Sequence, residues 1–204
     1  MLKQEKSIII YLEDLRLIYN IMNKIGSNTL LDTNLILAKG QVGSKERVAD
    51  LGCGTTGHFI FPIAKLVGSG GKVYAVDILK TALDNVRRMA KNDNLRNIET
   101  VWTNLEIFGA TKIESGSLDV AFLINTLYQS HKRAEIIREA VRMLKKDGRL
   151  VVVEWKKASS PFGPPTEERV NMDSLLIGAK KIGLRMEEEF FSGQYHYGFV
   201  FIKL

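Results

Sequence analysis

The feature that most limits this chain is the run RVADLGCGTTGHF at residues 47–59, a short apolar segment that meets a glycine-rich turn and then a helical pattern. A strand that apolar has to be covered on both faces, and a turn that rich in glycine lets the backbone approach a neighbour closely. The rhythm then repeats. KVYAVD reads as a second strand, NIETVW and SLDVAFLI as two more, and GRLVVVEW as another after the Lys146-Asp147-Gly148 turn. Between them TALDNVRRMAKN reads as a helix opened by a Thr81-x-x-Asp84 capping pattern, and HKRAEIIREAVRML as another. HFIFPIAKLV is helical provided Pro62 falls in the first turn.

The last third breaks the alternation. LRMEEEFF and YHYGFVFIKL are joined only by Ser192-Gly193-Gln194, too short for a crossover helix, so they must form an antiparallel hairpin. The predicted fold class is therefore α/β, a Rossmann-like, doubly wound, mostly parallel seven-stranded sheet with one antiparallel strand in a C-terminal hairpin. Upstream, Leu12, Leu15, Ile18 and Met22 recur at helical spacing behind a cap at Ser7, and a second short helix is expected from Leu30 to Ala38, closed by Gly40. At 204 residues the chain reads as one domain over 1–204, with a helical lid at 1–45 and the core at 46–204.

Composition narrows the function. The apolar run SIIIYL is soon interrupted by Glu13, Asp14 and Arg16, too short for a signal peptide core or a transmembrane segment, so a cytoplasmic protein is expected. A lone cysteine, Cys53, excludes an internal disulfide and the multi-cysteine zinc patterns, and no metal site is expected. The net charge of +6 and a pI near 9.3 permit binding to RNA, but the basic residues are scattered along solvated helix faces. Nothing in the sequence signals an oligomeric state.

GCGTTG matches G-x-G-x-x-G, and Asp77 ends the next strand about 20 residues further on, where a carboxylate accepts from ribose hydroxyls. That spacing alone indicates an adenosine-bearing ligand. Asp50 discriminates further, because a carboxylate at the tip of the first strand repels a dinucleotide's diphosphate across a poorly screened gap. S-adenosylmethionine carries a sulfonium and an ammonium instead, and both gain from a negative neighbour. Asp50 thus reads as a partner for the methionyl end.

The ordered set DLGCGTTG, VYAVD, SLDVAFLINTL and LKKDGRLVVVEWK resembles the motifs of class I S-adenosylmethionine-dependent methyltransferases over residues 47–157, and the final hairpin extends the likeness to residue 204. GRLVVVEWK with GPPTEERV and YHYGFVF is similar to the group containing the quinone-biosynthesis C-methyltransferases. The resemblance implies cofactor binding by Asp50, Gly52, Cys53 and Gly54 in the first motif and by Asp77 with Ile78 at the second strand end. Asn104 stands where many relatives place an aspartate that accepts from the adenine amino group, a bond an amide oxygen also accepts. Asn125 and Thr126 end the fourth strand, where the methionyl part and the methyl acceptor meet.

The acceptor side is expected to draw on Thr126, Tyr128, Tyr195 and His196. His131, Glu154 and His196 are the candidate general bases, each with an equally ordinary structural reading; Cys53 has no histidine partner in sequence and reads as a turn residue. The expected reaction is in-line methyl transfer to a small organic molecule, with an RNA methyltransferase as the alternative. Asn125-Thr126-Leu127-Tyr128 lacks the Asn-Pro-Pro-Tyr pattern of adenine or glutamine N-methylation. Two other classes stay open, a non-catalytic cofactor-binding module and a nicotinamide-dependent reductase. The Tyr-x-x-x-Lys pair of short-chain reductases is missing, and Asp50 opposes a reductase.

Overall fold

The computed structural model describes residues 31–158 and 160–204. The expected helix through Leu12, Leu15, Ile18 and Met22, and with it most of the expected lid, lies outside the described residues.

The first described helix, α1 (Thr33–Gly40), starts later than the apolar pattern suggests because Asp32 caps it, its carboxylate accepting from the N–H of Leu35 at 2.9 Å. The helix closes one residue later than expected, with the cap at Gln41 and not at Gly40. Gly40 is the last helical residue, chosen for close packing: a Cβ there would lie 2.5 Å from the Phe122 ring, and Gln41 takes the left-handed cap with φ 50°.

The core then alternates as the apolar runs predict: β1 (Arg47–Leu51), α2 (Ile60–Val67), β2 (Lys72–Asp77), α3 (Lys80–Asn92), β3 (Ile98–Trp102) and β4 (Leu118–Ile124). A 3₁₀ turn (Leu127–Gln129) leads to α4 (Arg133–Met143), β5 (Leu144–Trp155), α5 (Met172–Lys181), β6 (Leu184–Ser192) and β7 (His196–Lys203). Pro62 sits in the first turn of α2, where its missing N–H costs nothing.

Two expectations need correction. Thr81-x-x-Asp84 does not cap α3, which begins at Lys80 behind Leu79 with no side-chain cap; Asp84 pairs with Arg87 instead. The start is set by Asp77, whose Oδ1 accepts from the N–H of Leu79 at 2.8 Å. The Lys146-Asp147-Gly148 turn does not precede β5 but lies inside it. Leu144 already pairs with Leu118, and the turn persists as a break in register with Asp147 at φ 62°.

The seven strands run in the order β3-β2-β1-β4-β5-β7-β6. β7 is antiparallel to β5 and to β6, so one strand runs against the rest, as the short hairpin connection requires. One sheet face presents Val48, Ala75, Phe122, Val151 and Val153 to α1, α2 and α3, and the other presents Ala49, Val76, Leu123 and Val152 to α4 and α5. Each of the valine, leucine and phenylalanine side chains contributes about 1.5–3 kcal/mol by leaving water, and the alanines less. Among the described residues no helix is long and apolar enough to cross a membrane.

This topology brings the carboxyl ends of β1, β2, β4 and β5 to one edge and delivers the start of β7, running the other way, to the same edge. Asp50, Asp77, Asn125, Glu154 and His196 fall at or next to that edge. The open question is which face each one takes.

Candidate functional site

Asp50 lies in β1 on the face shared with Val48, level with Phe122 of β4 and Ala75 of β2. It is 2% exposed, and among the described residues no hydrogen-bond donor reaches its carboxylate. Burial, and after it the charge of Asp77, push the Asp50 carboxyl up to about 7. A buried carboxylate without a partner is costly, and a cation placed beside it would relieve that cost.

The first three residues of the glycine turn, which follow this strand end, have their own donors engaged. The N–H groups of Gly52 and Cys53 both donate to the Val76 carbonyl, at 2.8 and 3.0 Å, and the Gly54 N–H donates to Asp77 Oδ2 at 2.9 Å. Helix α2 begins only at Ile60, so its N-terminus does not supply the missing donors. At Gly52, Cys53 and Gly54 a diphosphate would therefore meet two carboxylates and N–H groups that are already engaged. Gly52 (φ 89°) and Gly54 (φ 65°) serve different ends: a Cβ on Gly52 would lie 2.7 Å from Thr126 Oγ1, whereas above Gly54 nothing lies within 4 Å. Open backbone at Gly54 flanked by Asp50 and Asp77 fits an adenosyl ligand with a cationic tail.

Cys53 is buried, and burial, with Asp50 and Asp77 adding to it, pushes its thiol up. It stays protonated and acts as a turn residue. Asp77 is 8% exposed, and Trp102 is its register partner on β3, more than half exposed and donating from Nε1 to the Ile78 carbonyl at 2.9 Å. Ile78 itself is exposed at this corner. Asn104 turns its amide oxygen back onto the N–H of Glu106 at 2.9 Å.

At the end of β4, Asn125 takes φ 53°, with its amide nitrogen 3.1 Å from His196 Nε2. Thr126 turns inward, donating its hydroxyl to the Leu51 carbonyl at 2.9 Å, and so braces the Gly52 turn. His196 is fully buried beneath Trp155, ring centroids 4.1 Å apart, on the same sheet face as Asp50. Tyr195 is half-buried, edge-on to Phe162 at 5.7 Å.

The remaining candidates lie elsewhere. Glu154 is fully buried on the opposite sheet face, level with Tyr197, with Oε1 accepting from the N–H of Leu127 at 2.6 Å. Burial raises its carboxyl to about 8. Tyr128 is half-buried near that carboxylate, and His131 is exposed at the head of α4. The structure thus brings together Asp50, Gly52, Cys53, Gly54, Asp77, Asn125 and His196 and separates Glu154 and His131 from them.

Sequence reading missed two features of the site. Trp102 is placed against Asp77 by strand register, which no local pattern reveals. Thr33 joins the start of α1 to the residue following the glycine turn through a 2.6 Å bond between its hydroxyl and His58 Nε2.

Residues 43–188 match a family model described as a methyltransferase domain. A demethylmenaquinone methyltransferase from Lactococcus lactis is 31% identical over 56% of this chain and 44% of its own length. An aklanonic acid methyltransferase from a Streptomyces species is 32% identical over 59% of this chain and 54% of its own. The chain spans about half the length of these curated relatives. Its fold superposes on the crystal structure of a SAM-dependent methyltransferase from Aquifex aeolicus with a TM-score of 0.77, at 23% identity, covering 86% of this chain and 91% of that one. With the family model spanning most of the chain and the sheet order and glycine turn described above, the chain belongs to the methyltransferase-domain family, as a class I, S-adenosylmethionine-dependent member.

Proposed function

We propose that the chain transfers a methyl group from S-adenosylmethionine to a small organic acceptor by direct in-line displacement. The observation that carries this reading is Asp50, a buried carboxylate that accepts no hydrogen bond among the described residues, beside a turn whose Gly52, Cys53 and Gly54 N–H groups are already engaged. Such a site accepts a cationic tail and refuses a diphosphate. When bound, the donor supplies a methyl group on a positively charged sulfur.

The chain's own residues supply placement. Asp77 retains lone pairs for the ribose hydroxyls beyond those its two backbone donors use, and Asp50 faces the methionyl end. Most of the acceleration then comes from alignment in a dry site, where effective molarities of about 10⁵ M or more are available. Of the three candidate bases, His196 is favoured because it shares Asp50's sheet face; Glu154 lies on the other face and His131 at the surface. The names of the two relatives, demethylmenaquinone methyltransferase and aklanonic acid methyltransferase, support a small organic acceptor over RNA.

The test is transfer of isotopically labelled methyl from the donor into a cell extract, fractionated into solvent-extractable metabolites, RNA and protein. Label in the metabolite fraction, little affected by salt, is expected. Label in RNA with a steep salt dependence would overturn the acceptor class. Donor binding with no labelled product in any fraction would favour the non-catalytic module.

A further inference from the structure

Glu154 is the largest unexplained commitment in the molecule. It is 0% exposed, one carboxylate oxygen accepts from the N–H of Leu127 at 2.6 Å, and the other has no hydrogen-bond partner among the described residues. The far side of Leu127 is also held, since Arg133 Nε donates to its carbonyl at 3.0 Å. A carboxylate and a guanidinium thus grip the two ends of one fully buried residue. The charged and titratable groups around Glu154 are Arg133 from α4, Tyr128 from the 3₁₀ turn and Tyr197 from β7.

Leu127 follows directly on the part of the chain that faces the donor. Thr126, next to it, donates to the Leu51 carbonyl and fills the space above Gly52. Asn125 has a left-handed backbone that a side chain rarely adopts, held by its N–H on the Val153 carbonyl at 2.8 Å and its carbonyl on Gln129 Nε2 at 2.8 Å. A contiguous set of contacts therefore runs from Glu154 through Leu127 and Thr126 to the glycine turn. Glu154 itself touches neither the Asp50 face nor solvent.

We infer that Glu154 is a positioning residue for donor binding: by holding the Leu127 N–H it keeps the Asn125-Thr126 turn in the one geometry that seats Asn125 and Gly52 against the donor. This rests on the donor placement proposed above. The working part is an acceptor atom at Oε1, not a negative charge, so an isosteric amide replaces it and an apolar side chain does not.

The test uses the full chain titrated with S-adenosylhomocysteine by calorimetry, as wild type, Glu154→Gln and Glu154→Leu, with the Leu127 amide followed by NMR. Glu154→Leu is expected to weaken binding roughly tenfold or more and to expose the Leu127 amide to exchange, while Glu154→Gln stays within about threefold of wild type. In wild type the Leu127 amide shift should titrate with Glu154, and in Glu154→Gln it should not. Wild-type affinity in Glu154→Leu, or equal weakening in both variants, would overturn the proposal. Should the leucine variant not fold, the glutamine variant and the Leu127 titration decide. A wild type that binds no ligand would instead overturn the donor placement, and the Leu127 titration would still report on the grip.

Discussion

Asp77 and Gly54 are joined by a 2.9 Å hydrogen bond from the turn's backbone N–H to the carboxylate Oδ2, which ties the glycine turn of β1 to the tip of β2. The other oxygen accepts from Leu79 at the start of α3. One side chain thus sets the turn and starts a helix, and in the proposed donor placement it also accepts from the ribose. Asp77→Ala removes all three, and donor affinity should fall by about 1–3 kcal/mol. Titration calorimetry with S-adenosylmethionine measures this, and an unchanged dissociation constant would refute the assignment.

In the proposed donor placement, Asp50 is expected to make donor binding depend on pH. Its carboxyl, raised to about 7 by burial and then by Asp77, is largely neutral in the free protein below that pH, whereas a cationic tail favours the ionised form. Affinity should therefore level off above about pH 7 and fall by up to about tenfold per unit below it. Stability of the free protein runs the other way. A folded-state value above the unfolded 3.8 means that the neutral form's contribution is complete below about 4 and is lost as pH rises through about 7. Asp50→Asn should remove both dependences while weakening the donor, which calorimetry and thermal melts between pH 5.5 and 8.5 would register.

Much of the architecture was legible because its signals are local. Apolar runs such as LVVVEW have one way to be covered, and Ser192-Gly193-Gln194 is too short for anything but a hairpin. Asp50 was legible for a related reason, since a carboxylate at the end of an apolar strand needs an explanation. What escaped depends on register and long-range pairing. Trp102 reaches Asp77 only through strand pairing, the face of Glu154 depends on the irregular start of β5, and Thr81 looked like a cap because the true start of α3 is set by a site residue. Arg169 is buried although it directly follows Glu167 and Glu168, because the loop carbonyls it holds come together only in the fold.

The loop between β3 and β4 is anchored to α4 by a buried ion pair. Glu139 is fully buried, accepts from the N–H groups of Gly109 and Thr111 at 2.8 and 3.0 Å, and pairs with Arg142 at 2.8 Å. Burial alone would raise its carboxyl, but the Arg142 guanidinium and those N–H groups hold it at about 2. Its stabilising contribution is thus intact above the unfolded value of 4.5 and is lost as pH falls toward 2. Removing one partner strands a buried charge, so Glu139→Ala should cost about 3–5 kcal/mol in urea unfolding at pH 7. A loss under about 1 kcal/mol would mean that the pair behaves as a surface bridge.

Arg169 organises the loop after β5 without a carboxylate. It is 4% exposed and donates to the carbonyls of Lys156, Ala158, Phe162 and Pro164 at 2.6–3.0 Å, its guanidinium lying 5.7 Å from the Trp155 ring centroid. The planar fork makes this possible, because it presents five N–H donors in fixed directions; a lysine has three on a single point. Arg169→Leu leaves those carbonyls to find water and uncovers Trp155, so it should cost about 2–4 kcal/mol and open the segment to limited proteolysis. Trp155 emission, read in a Trp102→Phe background, should shift to the red, and Arg169→Lys should recover only part of the effect. Asp50, Asp77 and the glycine turn make no contact with Arg169, so donor affinity should hold within about threefold in both variants. A large loss of donor affinity with the Trp155 emission unmoved would show that Arg169 acts on the donor site and not on the loop beside it.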